Sequence, residues 1–141
     1  MPKVYVAEPP AAYRARPALV VDCSALAVVM FREPGADQVA TQLAGHQLHA
    51  PYLLQAELAN VALVKHRRGE PHALAALAHA DELAIELHGL DRVAVVTLAE
   101  QFGLTAYDAA YLCLSVELAC PLITLDRKLG AAAQRLFSGG R

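Results

Sequence analysis

Four acidic residues each lie in a stretch of chain that is otherwise almost wholly apolar: Asp22 in LVVDCSAL, Glu57 in APYLLQAELANV, Asp108 in LTAYDAAYLCLS and Asp126 in PLITLDRKL. Carboxylates are seldom buried without a partner, because an isolated ionised group in a low-dielectric interior is very costly. Four such acids suggest that they meet in space and that a hard cation compensates their charge. The pattern therefore predicts a metal site, and a catalytic one.

Length and composition place the chain among soluble globular domains. At 141 residues it is about one domain, and an apolar fraction of 56 % argues against disorder. No uncharged apolar run approaches the ~20 residues needed to span a bilayer, and the N-terminus lacks the apolar core of a signal peptide. Cys23, Cys113 and Cys120 show no CxxC spacing and are predicted to be buried, reduced thiols. We therefore expect a cytoplasmic protein with no membrane contact.

The net charge of −2 is weak evidence against nucleic-acid binding, since four clustered acids would lower the total even in a nucleic-acid enzyme.

Short apolar runs alternate with helical patterns along most of the chain. Residues 1–17 carry four prolines and are predicted to form an extended arm, followed by one domain over 18–141. The predicted strands are 18–21, 47–50, 84–87 and 122–124. The predicted helices are 25–31, 36–44, 51–68, 71–80, 91–102, 106–118 and 126–137. Ser24 is the predicted cap of the first helix and Thr105 of the sixth, and Pro51 lies in the first turn of the third. This alternation predicts an α/β fold with a parallel sheet covered on both faces.

The predicted elements place the acids at one edge of the sheet. Asp22 and Asp126 follow the first and last strands, and sites in open α/β sheets form outside the carboxyl ends of strands. Glu57 and Asp108 lie in the first turns of helices at that same edge. An acid near a helix N-terminus is also favourable on its own, which leaves Glu57 equally open to a solvated role. Asp108 fits that alternative poorly, because it is the lone charge of the segment AYDAAYLCL.

Three blocks carry a family resemblance: VVDCSALAVVMFREPGA, APYLLQAELANVALVKHRRGE, and FGLTAYDAAYLCLSVELACPLITLDRKLGAAA. In this order and spacing they resemble a PIN domain and, more narrowly, the VapC-type ribonuclease toxins of toxin–antitoxin pairs, over about residues 18–135. The resemblance implies a three-layer α/β/α fold with four or five parallel strands. It also implies that the four acids bind one or two Mg²⁺ or Mn²⁺ ions. The polar positions flanking this cluster in the family correspond to Ser24, Asn60 and Thr124.

The same resemblance implies an RNA substrate, a homodimer and a VapB-like antitoxin whose C-terminal segment fills the acidic groove. An Arg or Lys of that segment could take the electrostatic position of the metal. Two features depart from the pattern, the proline-rich arm and a C-terminus too short for a clear fifth strand.

The chemistry of RNA hydrolysis suits oxygen ligands and a hard cation. Asp22 and Asp108 are the preferred direct ligands, while Glu57 and Asp126 could bind directly, through water, or at a second ion. Ser24 and Thr124 could orient the carboxylates, or serve equally well as an ordinary helix cap and a strand end. Clustered carboxylates also repel one another, so we expect raised pKa values and a less stable metal-free protein.

Basic residues that could contact the RNA backbone lie in two places: Lys65, Arg67 and Arg68 on one helix, and Arg127 with Lys128 after Asp126. The first group also fits the usual basic end of a helix. It lies roughly 12–17 Å from Glu57 at 1.5 Å per residue, too far to reach the scissile phosphate. Arg127 is therefore the preferred contact.

Other classes fit the sequence less well. The pairs His46–His49 and His72–His79 have no further ligand in sequence to complete a zinc set. A DCS motif lacks the second acid of aspartyl phosphatases, and no glycine-rich loop follows the first strand. Cys23 and Ser24 have no histidine nearby in sequence to activate them. A PIN-like housekeeping nuclease, or a PIN-like module that binds a partner without cutting RNA, stays open as an alternative.

Overall fold

The computed structural model describes residues 1–7 and 15–139, which contain four strands and seven helices. In chain order these are β1 (Ala18–Val21), α1 (Cys23–Met30), α2 (Ala36–Leu43), β2 (Gln47–Pro51), α3 (Leu53–Arg67), α4 (Ala73–Ala80), β3 (Ile85–His88), α5 (Arg92–Phe102), α6 (Ala106–Leu118), β4 (Leu122–Ile123) and α7 (Arg127–Ser138).

The four strands form one parallel sheet in the order β3-β2-β1-β4. The chain moves outward from β1 to β2 and β3, then returns to place β4 on the other side of β1. The topological switch point, where open α/β sheets bind ligands, therefore lies at the carboxyl ends of the neighbouring strands β1 and β4. The predicted α/β class and parallel sheet are confirmed with four strands; residues 15–139 contain no fifth strand.

Helix α6 is the centre of the core. Its residues from Ala109 to Ser115 are all buried, and it packs against β1, β2, β4, α5 and α7. A helix that is apolar on every side is stable only where neighbours cover it completely. All three cysteines are free and buried, as the sequence predicted.

Three predicted helix starts are each wrong by two residues. Helix α1 begins at Cys23, and its N-cap is Asp22 rather than Ser24, because the Asp22 carboxylate accepts the Ala25 N–H. Pro51 ends β2 instead of opening α3. A proline is tolerated there because the next residue, Tyr52, donates the hydrogen bond to His88 O. Helix α4 begins at Ala73, two residues after Pro71.

The predicted N-terminal arm is described only in part. Residues 1–7 and 15–17 are exposed and contain neither helix nor strand, whereas 8–14 lie outside the described residues. Pro17 O accepts the Gln47 N–H at 2.9 Å, so the ladder between the first two strands starts one residue before β1. The division at residue 17 stays a prediction.

Over the described ranges, none of the helices has both the length and the apolar character that crossing a bilayer requires.

Candidate active site

Asp22 is the most buried of the four acids, with 5 % of its surface exposed. It follows β1 directly and caps α1. Its Oδ1 accepts hydrogen bonds from Ser24 Oγ at 2.7 Å and Ala25 N at 3.0 Å, and its Oδ2 accepts one from Thr124 Oγ1 at 2.6 Å. Both carboxylate oxygens are thus held by donors, which is the condition under which a charged group can be buried.

Ser24 and Thr124 also join the ends of β1 and β4. Thr124 Oγ1 accepts the Asp126 N–H at 2.9 Å, and Ser24 Oγ accepts the Leu125 N–H at 2.9 Å. Each hydroxyl therefore donates to Asp22 and accepts from the turn that leads into α7. This pair of contacts fixes the position of Asp126 relative to Asp22 across the switch point.

Asp126 is the N-cap of α7, and its Oδ1 accepts the Leu129 N–H at 2.8 Å. The residue is exposed. The sequence placed it inside the helix as its first residue, whereas the helix proper starts at Arg127.

Asp108 is the third residue of α6 and is half-buried. Thr105 caps this helix as predicted, and its Oγ1 accepts the Asp108 N–H at 3.1 Å. The fully buried part of α6 begins one residue later at Ala109. Asp108 therefore lies where the core meets solvent, with its backbone anchored by the cap.

Glu57 lies in the second turn of α3 and is bound by a residue that the sequence reasoning missed. Tyr111 OH donates to Glu57 Oε1 at 2.6 Å, and Tyr111 is only 2 % exposed. Tyr111 follows Asp108 by three residues, so the two lie on one face of α6. That spacing was the available signal for an additional site residue.

The electrostatics show that the four acids converge. Burial raises the pKa of Asp22, Glu57 and Asp108, and in each case a neighbouring carboxylate adds to the rise. Asp126 acts on Asp22, whereas Glu57 is affected by Asp22 and Asp108. Asp108 is affected first by Asp126 and then by Asp22. The fold has therefore placed Asp22 and Asp108 within electrostatic reach of each other, of Glu57 and of Asp126.

The donor set suits a hard divalent cation. All four side chains offer carboxylate oxygen, the ligand preferred by Mg²⁺ and Mn²⁺. Among the described residues, no three of these acids have oxygens that all lie within 4.8 Å of one another. Mg²⁺ binds one or two carboxylates directly and keeps several waters, so a magnesium site does not require three acids in direct contact with the ion.

Cysteine chemistry does not fit the site. Burial raises the pKa of the Cys23 thiol to about 12, and Glu57 and Asp22 add to the rise. The thiolate, which is the nucleophilic form, is therefore scarce at neutral pH.

The candidate RNA contacts differ in how they are placed. Lys65 pairs with Glu33 at 2.6 Å and Glu70 at 3.3 Å, and its ammonium lies 5.1 Å from the centre of the Phe31 ring. Arg68 is exposed at the end of α3. These positions favour a structural role for Lys65.

Two further basic candidates, Arg127 and Lys128, are exposed at the start of α7 beside the acids, and Lys128 opposes the rise in the pKa of Asp108. Asn60, one turn after Glu57, is exposed.

Comparison with known proteins identifies relatives of this chain. The profile of the PIN domain matches residues 19–134. Ribonuclease VapC3 of Pyrobaculum aerophilum is 34 % identical over 119 residues, which cover 79 % of this chain and 91 % of that protein. VapC ribonuclease Mb0985 of Mycobacterium bovis is 32 % identical over 124 residues, covering 82 % and 91 %.

Solved structures share the fold. PAE2754 from Pyrobaculum aerophilum superposes with a TM-score of 0.66 at 23 % identity, over 87 % of this chain and 96 % of the other. VapC20 of Mycobacterium tuberculosis, described as a toxin that cleaves the sarcin-ricin loop, gives a TM-score of 0.60 at 14 % identity, over 81 % and 94 %.

Proposed function

The chain belongs to the PIN-domain family, and we propose that it is a metal-dependent endoribonuclease, the toxin of a VapBC-type toxin–antitoxin pair. The observation that carries the proposal is the grouping of four carboxylates near the switch point of the sheet, three of them with pKa values raised by burial and by neighbouring carboxylates. Relatives named as VapC ribonucleases support RNA as the substrate class.

Asp22 and Asp108 are the proposed direct ligands of Mg²⁺ or Mn²⁺, with Glu57 and Asp126 binding directly, through water, or at a second ion. When bound, the ion would supply Lewis-acid chemistry, acidifying water and neutralising charge on the phosphate. Ser24 and Thr124 hold the two oxygens of Asp22 in one orientation, and Tyr111 does the same for Glu57. Residues held in this way lose little entropy when an ion or substrate arrives.

Arg127 and Lys128 are the proposed contacts to the RNA backbone, with Arg68 as a more distant one, whereas Lys65 is held by Glu33 and Glu70. The first two stand beside Asp126 on the exposed first turn of α7. An RNA phosphate placed over the acids would come within reach of these cations, which would offset its charge. Asn60 is a proposed polar contact on the α3 side of the groove.

The proposal extends to partners. We expect a homodimer in the cytoplasm, inhibited by a VapB-like antitoxin whose C-terminal segment occupies the acidic groove. A cationic side chain of that segment would find compensation among the four carboxylates. Co-purification with the product of a small adjacent reading frame, and relief by it of a growth defect caused by this chain, would test the pairing.

Cleavage of structured RNA tests the activity. We expect the parent protein to cut RNA with Mg²⁺ or Mn²⁺ and to stop when the metal is chelated. Asp108→Asn, which keeps the shape of the side chain and its cap to Thr105, should lower the rate by at least about 100-fold, as loss of a key electrostatic contact does in other enzymes. Glu100→Gln, an exposed acid on α5, is the matched control. Equal rates in parent and Asp108→Asn, or an inactive parent, would refute the nuclease proposal.

A further inference from the structure

A second group of potential metal ligands lies on the other side of β1 from the switch point. His49 Nδ1 is 2.8 Å from His88 Nε2 and 3.7 Å from Glu86 Oε2. Across residues 1–7 and 15–139, this is the one set of three or more His, Cys, Asp or Glu side chains whose ligand atoms all lie within 4.8 Å of one another.

Strand geometry explains how the three side chains meet. His49 on β2 pairs in register with Glu86 on the parallel neighbour β3, so both side chains lie on the same face of the sheet. His88 follows Glu86 by two residues and lies on that face too, because side chains alternate along a strand. His49 is separated from Glu86 and His88 by 37 and 39 positions along the chain, so no local motif in the sequence indicates the set.

We propose that His49, Glu86 and His88 form a binding site for a zinc-class divalent ion, separate from the four acids. Two imidazoles and one carboxylate are a known three-residue ligand set for Zn²⁺, with water in the fourth position. Imidazole nitrogen favours Zn²⁺, Co²⁺ or Ni²⁺, whereas Mg²⁺ favours the all-oxygen donors at the switch point. The two clusters therefore differ in the metal that they select.

The present geometry is close to what such an ion needs. Two nitrogens bound to one tetrahedral ion at 2.0–2.1 Å lie roughly 3.3–3.4 Å apart, so the two rings need to separate by about half an ångström. His49 is 8 % exposed, which gives the site a buried wall. The Glu86 side chain is 60 % exposed and leaves the opposite side open for entry of the ion.

The site would tie an edge strand to the sheet. β3 has four residues and lies at the edge of the sheet, where it pairs with β2. An ion shared by side chains of both strands adds a link that the unfolded chain lacks, so its binding free energy becomes stability. The role is structural, which distinguishes it from catalysis at the acids.

Thermal unfolding with added Zn²⁺, and the visible spectrum with Co²⁺, test the site on the intact chain in buffer without Mg²⁺. Zn²⁺ should raise the melting temperature by several degrees, and Co²⁺ should give the absorption of a tetrahedral complex. Glu86→Gln is isosteric and exposed, so it should stay folded while weakening Zn²⁺ binding about tenfold or more. His88→Gln should weaken it further. His79→Gln, which disrupts the exposed His79–Glu82 pair at 3.4 Å, is the control and should bind as the parent does.

Asp108→Asn separates this site from the acids and should keep the full Zn²⁺ response. The proposal is overturned if Zn²⁺ leaves the parent unchanged, or if Glu86→Gln and His88→Gln respond as the parent does. It is also overturned if the response disappears in Asp108→Asn. None of these results bears on RNA cleavage by the parent, so the two proposals fail independently.

Discussion

The pKa of Asp22 is set by opposing influences, with burial the largest. Burial and Asp126 raise its pKa, while hydrogen bonds from Thr124, Ala25 and Ser24 lower it. The pKa values of Glu57 and Asp108 are also raised by burial and by neighbouring carboxylates, and fewer hydrogen-bond donors oppose the rise. At the scale of single residues, the site therefore stores electrostatic repulsion that a bound cation would relieve.

This repulsion predicts how stability depends on pH when metal is chelated. The folded-state pKa of Asp108 lies above its unfolded value near 3.8, so the folded protein holds a proton that the unfolded chain has released. The free energy of unfolding should then fall as pH rises from the unfolded to the folded pKa of Asp108. At neutral pH the full loss of stability should remain. Asp108→Asn should melt a few degrees above the metal-free parent at neutral pH, with the gap closing below the unfolded pKa.

Saturating Mg²⁺ or Mn²⁺ should reverse that order. The parent should gain several degrees in melting temperature and Asp108→Asn much less, because binding to the folded state alone adds to stability. Glu100→Gln should respond as the parent does. If neither ion changes the melting temperature of the parent, the proposed metal site is wrong.

Tyr111→Phe removes the hydrogen bond from Tyr111 OH to Glu57 without leaving a cavity. Because that bond opposes the rise in the pKa of Glu57, its loss should move the acidic limb of the cleavage pH profile to higher pH. A hydrogen bond to a charged group contributes about 1.5–3 kcal/mol, so the protein should also be less stable. Tyr107→Phe is the control, since Tyr107 is 65 % exposed on the same helix. A profile identical in the two variants would exclude a positioning role for Tyr111.

At the scale of elements, three helices begin at the site. Asp22 caps α1, Thr105 caps α6 three residues before the half-buried Asp108, and Asp126 caps α7. The positive end of each helix dipole thus lies beside a carboxylate, which helps to keep the acids ionised. Two of the four acids therefore have a structural role in capping as well as the proposed role in binding metal.

Substitution of Asp126 separates those roles. Asparagine caps a helix about as well as aspartate, whereas alanine costs about 1 kcal/mol. Asp126→Asn keeps the cap and removes a charge that repels Asp22 and Asp108, so it should melt no lower than the metal-free parent. Asp126→Ala should melt several degrees below Asp126→Asn. Both should lose most cleavage and most of the Mg²⁺-induced stabilisation. If Asp126→Asn keeps full activity, the residue serves the fold alone.

The sequence predicted the helices and strands well, but the residues at which they begin and end less well. The alternation of strands and helices was enough to predict the parallel sheet. It also predicted that the isolated acids lie at one edge of that sheet. Asp22 as the cap of α1 and Pro51 at the end of β2 were missed, because a local motif does not say which of two nearby groups wins a backbone N–H. Tyr111–Glu57 and His49–His88 depend on helix packing and strand register, which one sequence does not specify.

At the scale of the whole molecule, the charge is unevenly distributed. The chain carries 12 Lys and Arg against 14 Asp and Glu. If the four site acids are set aside, the remainder has a net charge of +2. A cation bound at the acids would make the groove more favourable to RNA, although the overall charge is negative.

The positions of the basic residues relative to the acids predict that individual lysines differ in their contribution to RNA binding. In an Asp22→Asn background that prevents cleavage, Lys128→Gln should weaken RNA binding several-fold and lower the salt dependence of the affinity by about 0.7 in log–log slope, the loss of one phosphate contact to a single strand. Lys65→Gln should leave RNA affinity and slope unchanged and instead reduce stability by about 0.5–1 kcal/mol, since Glu33 and Glu70 lose their partner. Fluorescence anisotropy across a salt series, paired with thermal unfolding, measures both. If Lys65→Gln loses affinity and Lys128→Gln does not, the RNA path runs along the end of α3 instead of the first turn of α7.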